Sequence, residues 1–135
     1  MSGWEVEVIP DSGTLFLRVH KVHVREDDSI AAGAFADHGG GMSVDWAKYA
    51  TPHDTRSHPT KGPGNYGAVS MNAGHVRSID ALKVIHEPIK DHPTLPDNRA
   101  HSEVIGDKTN EVRMKLGRIV DWAIRLGDPI RASYR

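Results

Sequence analysis

The residues of this chain best suited to chemistry fall in three short runs. Arg18 and His20 stand two apart in the run from Leu15 to His20. Ser43 comes directly after a glycine triplet and one methionine, Gly39 to Met42. His101 and Glu103 are again two apart, in the run from Ala100 to Gly106. On an extended chain, side chains two residues apart share a face, so each pair is presented to one side. A guanidinium grips a phosphate through paired N–H groups. A carboxylate stabilises or deprotonates a reacting centre. Three consecutive glycines cost more backbone freedom on folding than other residues; they fit either a sharp turn or a backbone close to a ligand, where successive amides form a nest for an anion. The expected site is therefore Glu103, His101 and Ser43 as catalytic groups, with Arg18, His20, Gly40 and Gly41 binding substrate. The competing reading is structural, with Glu103 pairing Arg18 or His20 across a sheet.

These residues need strands to carry them. From Thr14 to Val24, Leu15, Leu17 and Val19 alternate with Phe16, Arg18 and His20, which predicts a strand with two different faces. Met42, Ser43 and Val44 read as a brief second strand, and Gly67 to Met71 as a buried one. Leu82 to His86 alternates and is closed by Pro88. Ala100 to Gly106 follows, with His101, Glu103 and Ile105 on one face. Thr51-Pro52-His53-Asp54 predicts a short helix, with threonine as N-cap, proline at the first position and an acid at the third. Residues 56–66 and 88–99 are rich in proline and polar residues and read as loops. Residues 1–13 read as a leader or an edge strand, with Trp4, Val6 and Val8 alternating with acids. Val112, Leu116, Ile119, Val120, Ala123 and Leu126 form a stripe at helical spacing. That stripe predicts a long C-terminal helix, capped by Thr109 or Asn110 and ended by Gly127 and Pro129. Strands, short helices, strands and a last helix without regular alternation point to an α+β fold. The expectation is one domain over residues 1–135, a mixed or antiparallel sheet with the long helix packed on it.

Composition narrows the function classes. The 135 residues contain no cysteine, so thiolate chemistry and disulfides are excluded. Nine histidines raise the question of metal, but none has the spacing of a ligand set; His20 and His23 would point to opposite faces of a strand. P-loop, HExxH, dinucleotide-fingerprint and nucleophile-elbow patterns are absent. Residues 1–60 carry nine acids against five Lys/Arg, and residues 61–135 nine against twelve. That gives the second half a mild basic bias, without a strong nucleic-acid signature. No apolar run is long enough for a membrane span and the first residues lack signal-peptide character, so a cytoplasmic protein is expected.

Two resemblances add to this reading. Leu15 to His20, Phe35, Met42 to Asp45, Thr51-Pro52 and His101 to Thr109 together resemble a group of small uncharacterised bacterial proteins, which bring no assigned activity. The order Arg18, Ser43, Glu103 on successive strands is similar to the layout of ADP-ribosyltransferases. There, an arginine or histidine on the first strand contacts NAD, a serine on the second orders the pocket, and a late glutamate performs catalysis. The resemblance implies a nucleotide-handling transferase with NAD as the nucleotide. Met42-Ser43-Val44 stands where that family has Ser-Thr-Ser, and His101-Ser102-Glu103 where it has Gln/Glu-x-Glu. The alternative is a non-catalytic binding or accessory module in a bacterial protein complex, with a protein or nucleotide partner.

Overall fold

Alternating apolar residues build the sheet on which everything else rests. In the computed structural model, which describes residues 4–37, 41–57 and 63–128, six strands form one antiparallel sheet. They are β1 (Thr14–His20), β2 (Met42–Trp46), β3 (Tyr66–Asn72), β4 (Lys83–His86), β5 (His101–Ile105) and β6 (Asp121–Ile124). Their order across the sheet is β4-β5-β2-β1-β3-β6. Three α-helices accompany them: α1 (Pro52–Arg56), α2 (Ala73–Arg77) and α3 (Asn110–Ile119). The fold is α+β with an antiparallel sheet.

One face of the sheet holds the core. Leu15, Leu17, Val19, Met42, Val44, Trp46, Val69, Met71, Val84 and Val104 are buried there, with Phe35, Val76, Val112 and Leu116 packed over them. The other face carries Arg18, Ser43, Asp45 and Glu103, which is what the alternation of these strands requires. Helix starts follow their caps. The Thr51 side chain accepts from Asp54 N while the Asp54 side chain accepts from Thr51 N, a complete capping box. Thr109 accepts from Val112 N at the start of α3.

The expected long C-terminal helix does not form. Helix α3 ends at Ile119, Val120 is already extended (φ −92°, ψ 148°), and Asp121–Ile124 pairs with β3. Leu116, Val120 and Ala123 keep a helical spacing, but Trp122 and Ile124 alternate with Asp121 and Ala123. Tertiary context decides between the two periods: β3 offers an open edge, and a strand there satisfies its backbone groups. Residues 4–10 form no strand either. They run as irregular chain, fastened where Glu7 accepts from Lys48 Nζ at 2.6 Å and from the Tyr49 hydroxyl. The first strand stops at His20, whose Nδ1 accepts from Val22 N and caps a 3₁₀ turn over Lys21–His23. Residues 88–99 are irregular and closed by an Ile89–Asn98 bridge. Of the 56–66 loop, Arg56 closes α1 and a 3₁₀ turn spans Pro63–Asn65; residues 58–62 lie outside the described part.

Three buried polar side chains, two of them of types that normally face water, fasten the periphery. Arg56 is 2 % exposed and donates to the carbonyls of Tyr66, Leu126 and Asp128 at 2.8–2.9 Å, tying α1 to β3 and to the chain after β6. Lys108 Nζ donates to Val104 O, Gly106 O and Asp37 Oδ1 at 2.8–2.9 Å. Gly106 supports that turn with φ 140°, a region that disfavours any side chain. His86 accepts from Glu7 N on Nδ1 and donates from Nε2 to Arg99 O at 2.7 Å, its ring against Trp46 and Tyr49.

Candidate active site

The three strands that carry the expected site residues are neighbours, in the order β5-β2-β1. Ser43 and Glu103 are direct register partners, and so are Asp45 and His101. Cross-strand partners share a face, so Ser43, Asp45, His101 and Glu103 form one polar square on the face opposite the core. Strand β1 pairs with β2 only at Leu15–Trp46 and Phe16–Asp45. Continued, that register would set Arg18 against Ser43. The strands part instead, and both residues line a cleft of about 620 Å³.

His101 and Asp45 line the same cleft, with Phe16 at its base and Ile89, Leu95 and Pro96 of the 88–99 loop along one wall. A cleft of this size, mostly apolar with a few convergent polar groups, has the form of a small-ligand site. Asp45 is 8 % exposed and accepts from the Thr55 hydroxyl at 2.8 Å and from Asn98 Nδ2 at 2.9 Å. It thereby holds α1 and the 88–99 loop to the cleft. Sequence reasoning left Asp45, Thr55 and Asn98 out of the site. The signal was present in the spacing: Asp45 is two residues from Ser43 and shares its face.

The protonation pattern of His101 follows from its contacts. Nδ1 lies 2.7 Å from the Glu87 carbonyl, which only accepts, so Nδ1 carries the proton and donates. Nε2 is then free to accept from the Ser43 hydroxyl, 3.3 Å away. The Glu103 carboxyl has no hydrogen bond or ion pair among the described residues. The expected cross-sheet ion pair with Arg18 or His20 is not formed, because β2 separates the strands that carry them. Burial chiefly, and then the Glu87 carboxylate, push the Glu103 carboxyl above the usual range. His101 pulls it back, Asp37 adds to the rise, and Lys108 opposes it.

Gly41 explains one of the three glycines. A Cβ there would lie 2.5 Å from Glu103 Oε2 and 3.1 Å from Val104 O, so a side chain at this position would push the Glu103 carboxyl aside and crowd the β5 backbone. Gly40, like Gly39, lies outside the described residues. His20 is not part of the cleft lining. Its ring meets Tyr66 edge-on at 5.0 Å, and the Arg18 guanidinium lies 5.1 Å from the same ring. The tyrosine so placed steadies Arg18 at the cleft rim. Glu103 borders the cleft from the Ser43 side without lining it.

No group of three or more His, Asp or Glu side chains poised for a metal occurs among the described residues. No helix among them is long and apolar enough to cross a membrane. Comparison of the chain with known protein families, with curated proteins and with solved structures finds no match.

Proposed function

We propose that this protein is a nucleotide-handling transferase of ADP-ribosyltransferase type, which takes NAD into the cleft between β1 and β2. The observation that carries this reading is the pairing of Ser43 with Glu103 beside the gap where Arg18 and Ser43 part. Arginine, serine and glutamate thus stand on three adjacent strands in the order that the resemblance implies, the first two lining the cleft and Glu103 beside Ser43 at its border. The residues present suit the ligand. Arg18 offers a guanidinium for a pyrophosphate, and the apolar walls offer flat surface for the ring systems.

NAD supplies the C1′–N bond that breaks, with nicotinamide as leaving group. The chain's own residues do the rest. Arg18 orients the phosphates. Ser43, held by His101, fixes the ligand's position over β2. Glu103 faces the reacting centre as a carboxylate, stabilises positive charge there, and takes the proton from the incoming acceptor hydroxyl. Its raised pKa suits a base, because a carboxylate of higher pKa takes a proton more readily. The thermal stability of the purified protein with NAD tests the binding step. At a hundred times its dissociation constant, a ligand adds about 2.7 kcal/mol; the shift is expected for the parent and lost in Arg18→Ala.

The His101 geometry supports a second reading, in which Ser43 is itself a nucleophile activated by Nε2. Ser43→Ala separates the two. In the transferase it lowers activity in part; with Ser43 as nucleophile it abolishes activity.

A further inference from the structure

A second concavity, of about 510 Å³, lies apart from the β1–β2 cleft. Ala32 lines it while Ala34 lines the first, so the 3₁₀ turn Ala32–Ala34 stands between the two. Its floor is one face of α3, where Arg113 and Arg118 stand with Asn110, Met114 and Gly117 at helical spacing. Arg25 closes the opposite side, and Trp122 and Val120 give it an apolar wall.

The charge in this cleft is not balanced from within. Asp28 is the single carboxylate in the lining, and it is engaged by Arg125 at 2.9 Å. The neighbouring Asp27 is taken up by the Ser29 amide and hydroxyl. Arg25 reaches only Ser29 Oγ at 3.4 Å and Ile30 O at 3.5 Å. Among the described residues neither Arg113 nor Arg118 has an ion pair, and Arg113 Nε is enclosed with no hydrogen-bond partner. A buried donor left without an acceptor is costly. Three arginines line this one concavity, and their like charges repel each other until an anion joins them.

We propose that this cleft is a second binding site, which takes the phosphate group of a phosphorylated ligand between Arg25, Arg113 and Arg118. Planar guanidiniums grip phosphate bidentately, and the Trp122 wall receives the organic part of the ligand. The site does not rest on the reading of the β1–β2 cleft. Two sources share this chemistry, a free phosphorylated small molecule and the phosphate of a nucleic-acid end.

The test titrates the full chain with pyrophosphate and with a 5′-phosphorylated single-stranded DNA hexamer, by calorimetry at low salt. Variants Arg25→Gln and Arg118→Gln alter exposed side chains, so both should stay folded; Arg113→Gln joins them, and melting curves check each fold. The expected result is binding by the parent that weakens about tenfold with each lost guanidinium. Pyrophosphate binding alone identifies a small-molecule site, and tighter hexamer binding a nucleic-acid end. No binding of either ligand at millimolar concentration overturns the proposal. So does binding that Arg25→Gln and Arg118→Gln leave unchanged.

Discussion

Glu103 is the residue on which the proposed chemistry and the stability of the fold meet. Its carboxyl is pushed above the ordinary glutamate value of 4.5, by burial first and by Glu87 next. A transferase that needs the ionised form therefore gains activity as pH rises, with a midpoint above that value; a pH–rate profile measures it. The stability effect has the opposite sign. With the folded-state value above the unfolded one, Glu103 contributes stability below the unfolded value and loses it as pH rises through the folded one. Denaturant midpoints measured from pH 4 to 8 should show Glu103→Gln more stable than the parent at the upper end, with a flatter profile. Arg56 is the structural counterpart. Replacing it by methionine strands three carbonyls, on Tyr66, Leu126 and Asp128, and should cost about 3 kcal/mol in urea unfolding. Its type and its place next to a loop gave no sign of burial, because arginine is almost never fully buried without partners and those partners are distant in sequence.

Among the elements, those governed by local rules were legible from the sequence. The Thr51 cap with Asp54, the Thr109 cap, and the alternation in β1, β4 and β5 all depend on neighbours within a few residues. The end of α3 does not. The stripe through Leu116 and Val120 runs on at helical spacing, and only the free edge of β3 turns Asp121–Ile124 into a strand. The part of α3 that the stripe placed correctly is its core contact: Leu116 is fully buried, while Val120 is half-buried. Leu116→Ala should cost about 2–5 kcal/mol in equilibrium unfolding, as a cavity mutation; a loss below about 1 kcal/mol would mean that this face does not carry the packing. The candidate site divides the same way. That His101 and Glu103 share a face follows from spacing, whereas the divergence of β1 from β2, which makes the cleft, depends on pairing between strands remote in sequence. His20 shares the Arg18 face by period, yet its ring turns to Tyr66 and to the cap of the next turn.

At the scale of the whole molecule, the sheet places two concavities on either side of one short turn, each with arginine at its edge and apolar wall beside it. Buried Lys108 joins Asp37 to the Val104 carbonyl of β5. The proposed transferase breaks the C1′–N bond of NAD at the β1–β2 cleft, with Glu103 at its border as the essential carboxylate. The most direct measurement is the release of nicotinamide from NAD by the parent and by Glu103→Gln, with water as acceptor and NAD binding followed in parallel. Steady release by the parent is expected, with a loss of at least about a hundredfold in Glu103→Gln and NAD still bound by the folded variant. Equal release by parent and variant, or no binding of NAD by the parent at millimolar concentration, would contradict it.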